Sequence, residues 1–308
     1  MAKKLISIVI PAYNEAGNVE VIYDALRNTI PSKYLFEIIF VDDGSTDNTL
    51  GVVKKLAKKD KAVRYISFTR NFGHQYALKA GIDHARGMAT ITMDADLEHP
   101  PRLIPKMLVA WENGAKIVYT KRSDDPNLPL HKRLTSKFFY LMINKLSDTP
   151  ILAGGADFRL IDASVSELVR TSTESALFLR GLVAWSGYPS LILSYRPTKR
   201  KWGESKYTYT KMLQLAIDAI TSFSVVPLRL ATLIGFLMSL FTGLYGLYAI
   251  IAYFTNWNVI TGWPSVIISV LFIGGLQLLI LGIIGEYIGK IFLETKNRPL
   301  YLINEKNI

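Results

Sequence analysis

Three carboxylates stand at alternate positions in MDADLEHPP, residues 93–101: Asp94, Asp96 and Glu98. They follow directly on the apolar run ATIT. Like charges crowded at a strand end repel one another, and burial raises their pKa values unless a cation sits among them. Mg²⁺ or Mn²⁺ suits such a trio, because hard divalent ions take carboxylate oxygens and keep positions open for phosphate oxygens. The spacing therefore predicts a metal site at Asp94, Asp96 and Glu98 that holds a diphosphate, whose charge the ion neutralises as a bond to it breaks. Capping of the following helix, PPRLIPKML, is an alternative that suits Glu98 alone.

Such a site needs a scaffold that gathers strand ends. LISIVI, EIIFV, VRYISF, ATITM and KIVYT are short β-branched runs, and most are separated by helical patterns such as TDNTLGVVKKLAKK and HQYALKAGIDHAR. Strand alternating with helix implies an α/β domain with a mainly parallel sheet covered on both faces. Ligands then bind beyond the carboxyl ends of the strands. Acids and amides cluster at those ends: Asn14 and Glu15 after the first run, Asp42 and Asp43 after the second, Asp94 and Asp96 after the fourth. No GxGxxG or GxxxxGK[ST] occurs there, which argues against dinucleotide and P-loop chemistry.

Hydrophobicity is unevenly distributed. Leu230–Phe254 and Val259–Gly285 contain no charged residue. At ~1.5 Å per residue each run exceeds a hydrocarbon core of ~30 Å, so two transmembrane helices are expected. The connector TNWNVITGWP has no Lys or Arg, and Trp257 and Trp263 lie in it. Lys290, Lys296, Arg298 and Lys306 follow the second run, so both ends should face the cytoplasm. The apolar run before Pro11 is too short for a secretory signal, which keeps the first two hundred residues cytosolic and makes this a multi-pass inner-membrane chain. The lack of cysteine excludes disulfides and thiol chemistry. LPLHKRLTSKFFYLMINKLSD (128–148) mixes basic and apolar residues as an interface helix does. YTKMLQLAIDAITSF also repeats its polar residues at helical intervals. The resulting division is a cytosolic domain over 1–206, a juxtamembrane amphipathic helix over 207–224, two membrane helices within 225–289 and a cytoplasmic tail over 290–308. The net charge of +11 is read as suited to a membrane surface, with no nucleic-acid partner.

PAYNE (11–15), VDDGSTDNT (41–49), RNFGHQ (70–75), MDADLEHPP (93–101), GGADFRLID (154–162) and KRKWGESKY (199–207) occur in that order. Together they resemble glycosyltransferase family 2, and within it the polyprenyl-phosphate glycosyltransferases of the dolichol-phosphate mannose synthase and bactoprenol glucosyltransferase kinds. The two C-terminal helices are closer to the latter. This chain departs from many relatives in having Glu98 where they have Gln, and in its extended GGADFR segment.

The resemblance implies a GT-A (Rossmann-like) nucleotide-sugar domain and inverting transfer of one sugar to polyprenyl phosphate. It places Pro11, Tyr13, Glu15 and Asp42 around the nucleotide. Asp94, Ala95 and Asp96 fall at the ribose, diphosphate and metal, with Asp96 the surest ligand. Arg70 reaches the nucleotide or is merely solvated, and Tyr13 has ordinary turn packing as its alternative. Arg200, Lys201 and Lys206, beside Gly203, would bind phosphates, since arginine forks onto diphosphate oxygens and glycine lets a loop close. Arg122, Lys132, Arg133 and Ser136 would grip the lipid phosphate, with general attraction to anionic lipid as the rival account. Asp157 acts beside the acceptor as base or orienting group, or simply pairs with Arg159. UDP-glucose is the implied donor, with GDP-mannose, UDP-N-acetylglucosamine and an aminoarabinose donor as alternatives. Partners implied are a flippase, a downstream glycosyltransferase and further copies of the chain. A processive polysaccharide synthase would need a QxxRW stretch, which FLRGLVAW (178–185) does not supply. A non-catalytic nucleotide-sugar-binding scaffold would have no need of the retained acids.

Overall fold

A computed structural model of the chain describes residues 3–122, 155–174, 177–196, 224–254 and 262–308. The five runs read as strands are β1 (Leu5–Ala12), β2 (Leu35–Asp42), β3 (Val63–Phe68), β4 (Ala89–Thr92) and β5 (Ile117–Arg122). β6 (Gly155–Asp162), β7 (Ser190–Tyr195) and β8 (Ile303–Lys306) join them. The helices are α1 (Ala16–Thr29), α2 (Thr49–Lys59), α3 (His74–His84), α4 (Ile104–Glu112), α5 (Ala163–Thr171), α6 (Leu179–Trp185), α7 (Val226–Phe254) and α8 (Trp263–Thr295).

The strands form one sheet in the order β7-β5-β6-β4-β1-β2-β3-β8. β1 is buried along almost its whole length, because alternate residues feed two cores. Ile6, Ile8 and Ile10 pack with Val19, Ile22, Val53, Met107 and Leu108 from α1, α2 and α4. Val9 turns the other way, to Leu78, Ile82, Val165 and Leu182 from α3, α5 and α6. Each such side chain contributes about 1.5–3 kcal/mol on burial, and a strand covered on both faces reads as an unbroken apolar run.

The sheet is less parallel than the sequence suggested. β1 pairs with β2 and β4, β2 with β3, and β5 with β7 in parallel. β6 runs against both β4 and β5, and β8 runs against β3. Reversal of β6 has a functional result. Arg159 lies opposite Thr92, so the first residues of β6 stand beside the last of β4, at the mouth of the sheet.

α7 and α8 present their apolar side chains outward, with Phe236 65%, Leu271 70% and Leu278 72% exposed. Helices of this length and composition, unburied by the protein, associate with a membrane. α8 continues past the expected limit of 289 to Thr295, and the segment expected to be a plain tail carries β8. The expected interface helix (128–148) and residues 207–223 of the juxtamembrane helix lie outside the described residues.

Candidate active site

The loop after β4 carries the acidic motif. Glu98 N–H donates to Asp96 Oδ1 at 3.0 Å, and Asp94 N–H donates to His99 Nδ1 at 3.1 Å. These bonds close a tight turn in which Leu97 takes φ 63°. His99 is buried, stacked on Phe158 at 5.3 Å and edge-on to Tyr195 at 6.1 Å. Burial lowers its pKa, against the pull of Asp94. A neutral ring whose Nδ1 accepts from a peptide must carry its proton on Nε2, which has no hydrogen-bond partner among the described residues.

Across the mouth, Asp157 is the centre of a charged cluster. Both Arg159 and Arg180 donate to it, Arg180 through Nε to Oδ1 at 2.9 Å and Nη2 to Oδ2 at 2.8 Å. His74, the first residue of α3, bridges the two acids, its Nε2 lying 3.4 Å from Asp94 Oδ1 and 3.6 Å from Asp157 Oδ2. Partial desolvation within the mouth disfavours protonated His74, whose side chain is 42% exposed, but the Asp94 and Asp157 carboxylates prevail and raise its pKa to about 9. Burial also works against ionised Asp157, yet Arg180, His74 and Arg159 hold its carboxyl well below the usual range. A general base needs a pKa near the working pH, and this carboxylate, surrounded by three cations, is held away from it. The pairing with Arg159 is therefore part of the structure, enlarged by two partners.

The residues expected around the nucleotide line neighbouring strand ends. Pro11 closes β1 and is buried, and Tyr13 is half-buried in the loop that follows. Asn14, at φ 58°, accepts from Thr46 N–H at 2.8 Å and Asp47 N–H at 3.3 Å. Glu15 N–H donates to Thr49 Oγ1 at 2.8 Å, and the Glu15 carboxylate accepts from Asn18 Nδ2 at 2.6 Å. Asp42 accepts from Ser45 N–H at 3.2 Å and Ser67 Oγ at 2.9 Å. Asp43 holds the next loop, taking Phe72 N–H at 2.7 Å and Gly73 N–H at 3.0 Å. Gly44, at φ 67°, lets these loops touch, since a Cβ there would lie 2.4 Å from the Arg70 carbonyl carbon. Arg70 is exposed and folds its guanidinium over the Phe72 ring at 4.0 Å.

The acidic trio does not converge on one point. Glu98 turns to Arg122 Nη2 at 2.9 Å, while Arg122 Nε donates to Tyr195 Oη at 3.3 Å. Among the described residues no three His, Asp or Glu side chains are gathered closely enough to hold a metal ion. Glu98, expected as a third ligand, has the Arg122 guanidinium as its countercharge in this arrangement. Asp94 and Asp96 remain suitable. Asp94 Oδ1 is buried and accepts no hydrogen bond among the described residues, the His74 ring nitrogen lying 3.4 Å away as an ion-pair partner. Burial, with the charges of Asp94 and Glu98, raises the Asp96 pKa despite the Glu98 N–H. A hard divalent cation would relieve both, so this pair of carboxylates fits Mg²⁺ or Mn²⁺. Ala95 is buried between them.

The structure thus brings Asp94, Asp96, Glu98, Arg122 and Asp157 to one mouth, with Asp42 at the end of β2 and Arg70 in the loop after β3. Arg200, Lys201, Lys206, Lys132, Arg133 and Ser136 lie outside the described residues. Sequence reasoning missed His74, His99 and Arg180 as site residues. All three sit inside stretches it singled out, RNFGHQ, MDADLEHPP and FLRGLVAW, but their partners are distant in the chain.

A family model described as Glycosyl transferase family 2 matches residues 7–168. A bactoprenol glucosyl transferase of Shigella phage SfV is 42% identical over 303 residues, covering 98% of this chain and 99% of that protein. A protein of the same description from Shigella phage SfX is 41% identical over 302 residues, again covering 98% and 99%. Among solved structures, mannosyl-3-phosphoglycerate synthase from Rubrobacter xylanophilus is similar at TM-score 0.49 and 18% identity, over 70% of this chain and 72% of that one. The matched residues run from β1 into α5 and so take in the acidic loop, His74 and Asp157. The mixed sheet with its acidic mouth is accordingly a GT-A domain, and the chain belongs to glycosyltransferase family 2.

Proposed function

We propose that this chain transfers one glucose from UDP-glucose to polyprenyl phosphate at the cytoplasmic face of the inner membrane, with inversion at the anomeric carbon. The observation that carries this reading is the union, in one chain, of an acidic strand-end mouth with two outward-facing apolar helices. A lipid acceptor accounts for both. Relatives at 41–42% identity over nearly the whole chain bear the name bactoprenol glucosyl transferase, which supports glucose and a polyprenyl acceptor.

In the reaction a phosphate oxygen of the lipid attacks the anomeric carbon, the bond to the diphosphate breaks, and UDP leaves with the bonding electrons. The acceptor is a phosphate monoester, largely ionised at neutral pH given a second pKa near ~6, so no strong base is required. The low pKa of Asp157 agrees with that. Asp157 would instead hold His74 and Arg180 as cations beside the acceptor, while Arg122 faces the same mouth from β5. Asp42 would meet the nucleoside, its carboxylate already oriented by Ser45 and Ser67. Mg²⁺ or Mn²⁺ at Asp94 and Asp96, when bound, would neutralise the departing diphosphate. The lipid-linked glucose would be made facing the cytoplasm, so a flippase and a second transferase would have to follow.

The test is transfer of radiolabel from a panel of nucleotide sugars to undecaprenyl phosphate by the purified chain. Lipid-linked monosaccharide from UDP-glucose is the expected product. Labelling from GDP-mannose, UDP-N-acetylglucosamine or an aminoarabinose donor instead would move the donor assignment. Polymer would indicate a processive synthase, and binding without transfer a scaffold.

A further inference from the structure

The C-terminal strand lies far from the acidic loop in sequence and returns to the catalytic sheet after the membrane helices. β8 pairs with β3 through Ile66–Lys306, Ser67–Glu305 and Phe68–Ile303. Thr69 N–H donates to Leu302 O at 3.1 Å, and Tyr65 N–H donates to the Asn307 side chain at 2.6 Å. Side chains extend the grip to both adjoining helices. Lys54 on α2 meets Glu305 at 2.5 Å, and Tyr301 Oη donates to Asp83 Oδ2 on α3 at 2.8 Å. Residues 296–302, between α8 and β8, reach at most about 25 Å when extended, so the β3 edge is tied close to the end of the second apolar helix.

One contact in this tail leads to the donor side of the mouth. The Tyr301 ring stacks on Phe68 at 5.1 Å and 18°. Phe68 meets Phe72 edge-on at 5.6 Å, and Phe72 lies under the Arg70 guanidinium at 4.0 Å. Phe72 N–H is itself held by Asp43, and His74 begins α3 two residues later. The stack is a short ladder of rings with a cation at its exposed end. Offset and edge-on ring pairs and a cation over a ring face are attractive geometries, so displacing the base of the ladder loosens its top.

We propose that Tyr301 is a positioning residue for donor binding, setting Arg70 through Phe68 and Phe72. The inference rests on the nucleotide-sugar reading above and deepens it, since it makes the post-membrane tail a component of the donor site.

Full-length Tyr301→Ala, Tyr301→Phe and Arg70→Ala variants, with the Tyr301→Ala/Arg70→Ala double variant, test it. Tyr301→Ala should raise the donor KM roughly five- to tenfold with the lipid KM unchanged. Tyr301→Phe keeps the ring and should return the donor KM to near the wild-type value. In the Arg70→Ala background, Tyr301→Ala should add nothing, because coupled residues are non-additive. Amide exchange across residues 69–74 should accelerate in Tyr301→Ala, a readout that needs no substrate. Unaltered donor KM and exchange in Tyr301→Ala, or effects that multiply in the double variant, would overturn the proposal. Failure of the functional reading would look different: the wild-type chain would make no lipid-linked sugar while the exchange difference persisted.

Discussion

Replacing Asp157 by Asn removes one negative charge from a centre that holds three cations. Asp157 and Arg159 are 6% and 4% exposed, so neither can recover its solvation in place. Removing one partner of a buried ion pair costs about 3–5 kcal/mol, because the other charge is left uncompensated. The Arg180 pair adds little to this, since that side chain is 33% exposed and can turn to water. For a domain of this size each kcal/mol lowers Tm by about 2–4 °C, so a fall of roughly 6–20 °C is expected for Asp157→Asn. Turnover of the folded fraction should fall as well, because His74 and Arg180 lose their common anchor. A paired replacement, Asp157→Leu with Arg159→Met, should recover most of the lost stability without restoring turnover. The pH dependence has a definite sign. A carboxyl depressed below its unfolded value of ~3.9 contributes stability that is complete above that pH and fades as pH falls through the folded value. The gap between wild type and Asp157→Asn should therefore be constant through mild acid, below the window in which His74 titrates, and narrow in strong acid. Differential scanning fluorimetry in detergent across pH measures it. Normal Tm with abolished turnover in Asp157→Asn would refute this account and return Asp157 to the role of base.

Three further outcomes are expected. His74, raised to about 9 from an unfolded value of ~6.5, contributes stability that is whole below ~6.5 and lost as pH rises through about 9. Wild-type Tm should slope downward over that window and His74→Gln should flatten the slope, less so in high salt because the side chain is 42% exposed; identical slopes would remove the ion bridge. Asp96→Ala should abolish metal-dependent binding of the nucleotide by calorimetry and lower turnover on the order of 10²-fold or more, and retained Mn²⁺-dependent affinity would count against Asp96 as a ligand. Gly44→Ala forces a side chain into the left-handed region at about 1–2 kcal/mol and drives Cβ into the Arg70 backbone, so both Tm and donor affinity should drop; a variant unchanged in both would show that the loops are not in contact.

Much of the architecture could be read in advance where local chemistry determined it. Uncharged runs announced α7 and α8, and β-branched runs ending in acids announced β1, β2 and β4 with their loops. What resisted was decided by long-range pairing. GADFRLID has the composition of any buried strand, and nothing in it says that β6 runs against β4. INEK is short and polar, and becomes a strand only because the β3 edge offers unpaired peptide groups. Glu98 looked like a third ligand because alternation places it beside Asp96. The Arg122 that pairs with it arrives from the end of β5. Likewise two of the three partners of Asp157, His74 and Arg180, come from α3 and α6, so its ionisation could not be judged from GGADFRLID alone.

The bonds that run from Asn14 to Ser45, Thr46 and Asp47, and from Asp43 to Phe72 and Gly73, join three successive loops through the chain's own groups. Such a template is preorganised, so little conformational entropy remains to be lost when a nucleoside settles against it. Discrimination between one base or sugar and another would then reside in the identity of a few side chains rather than in motion. Altered donor preference in this architecture should come from point replacements that leave the backbone where it is.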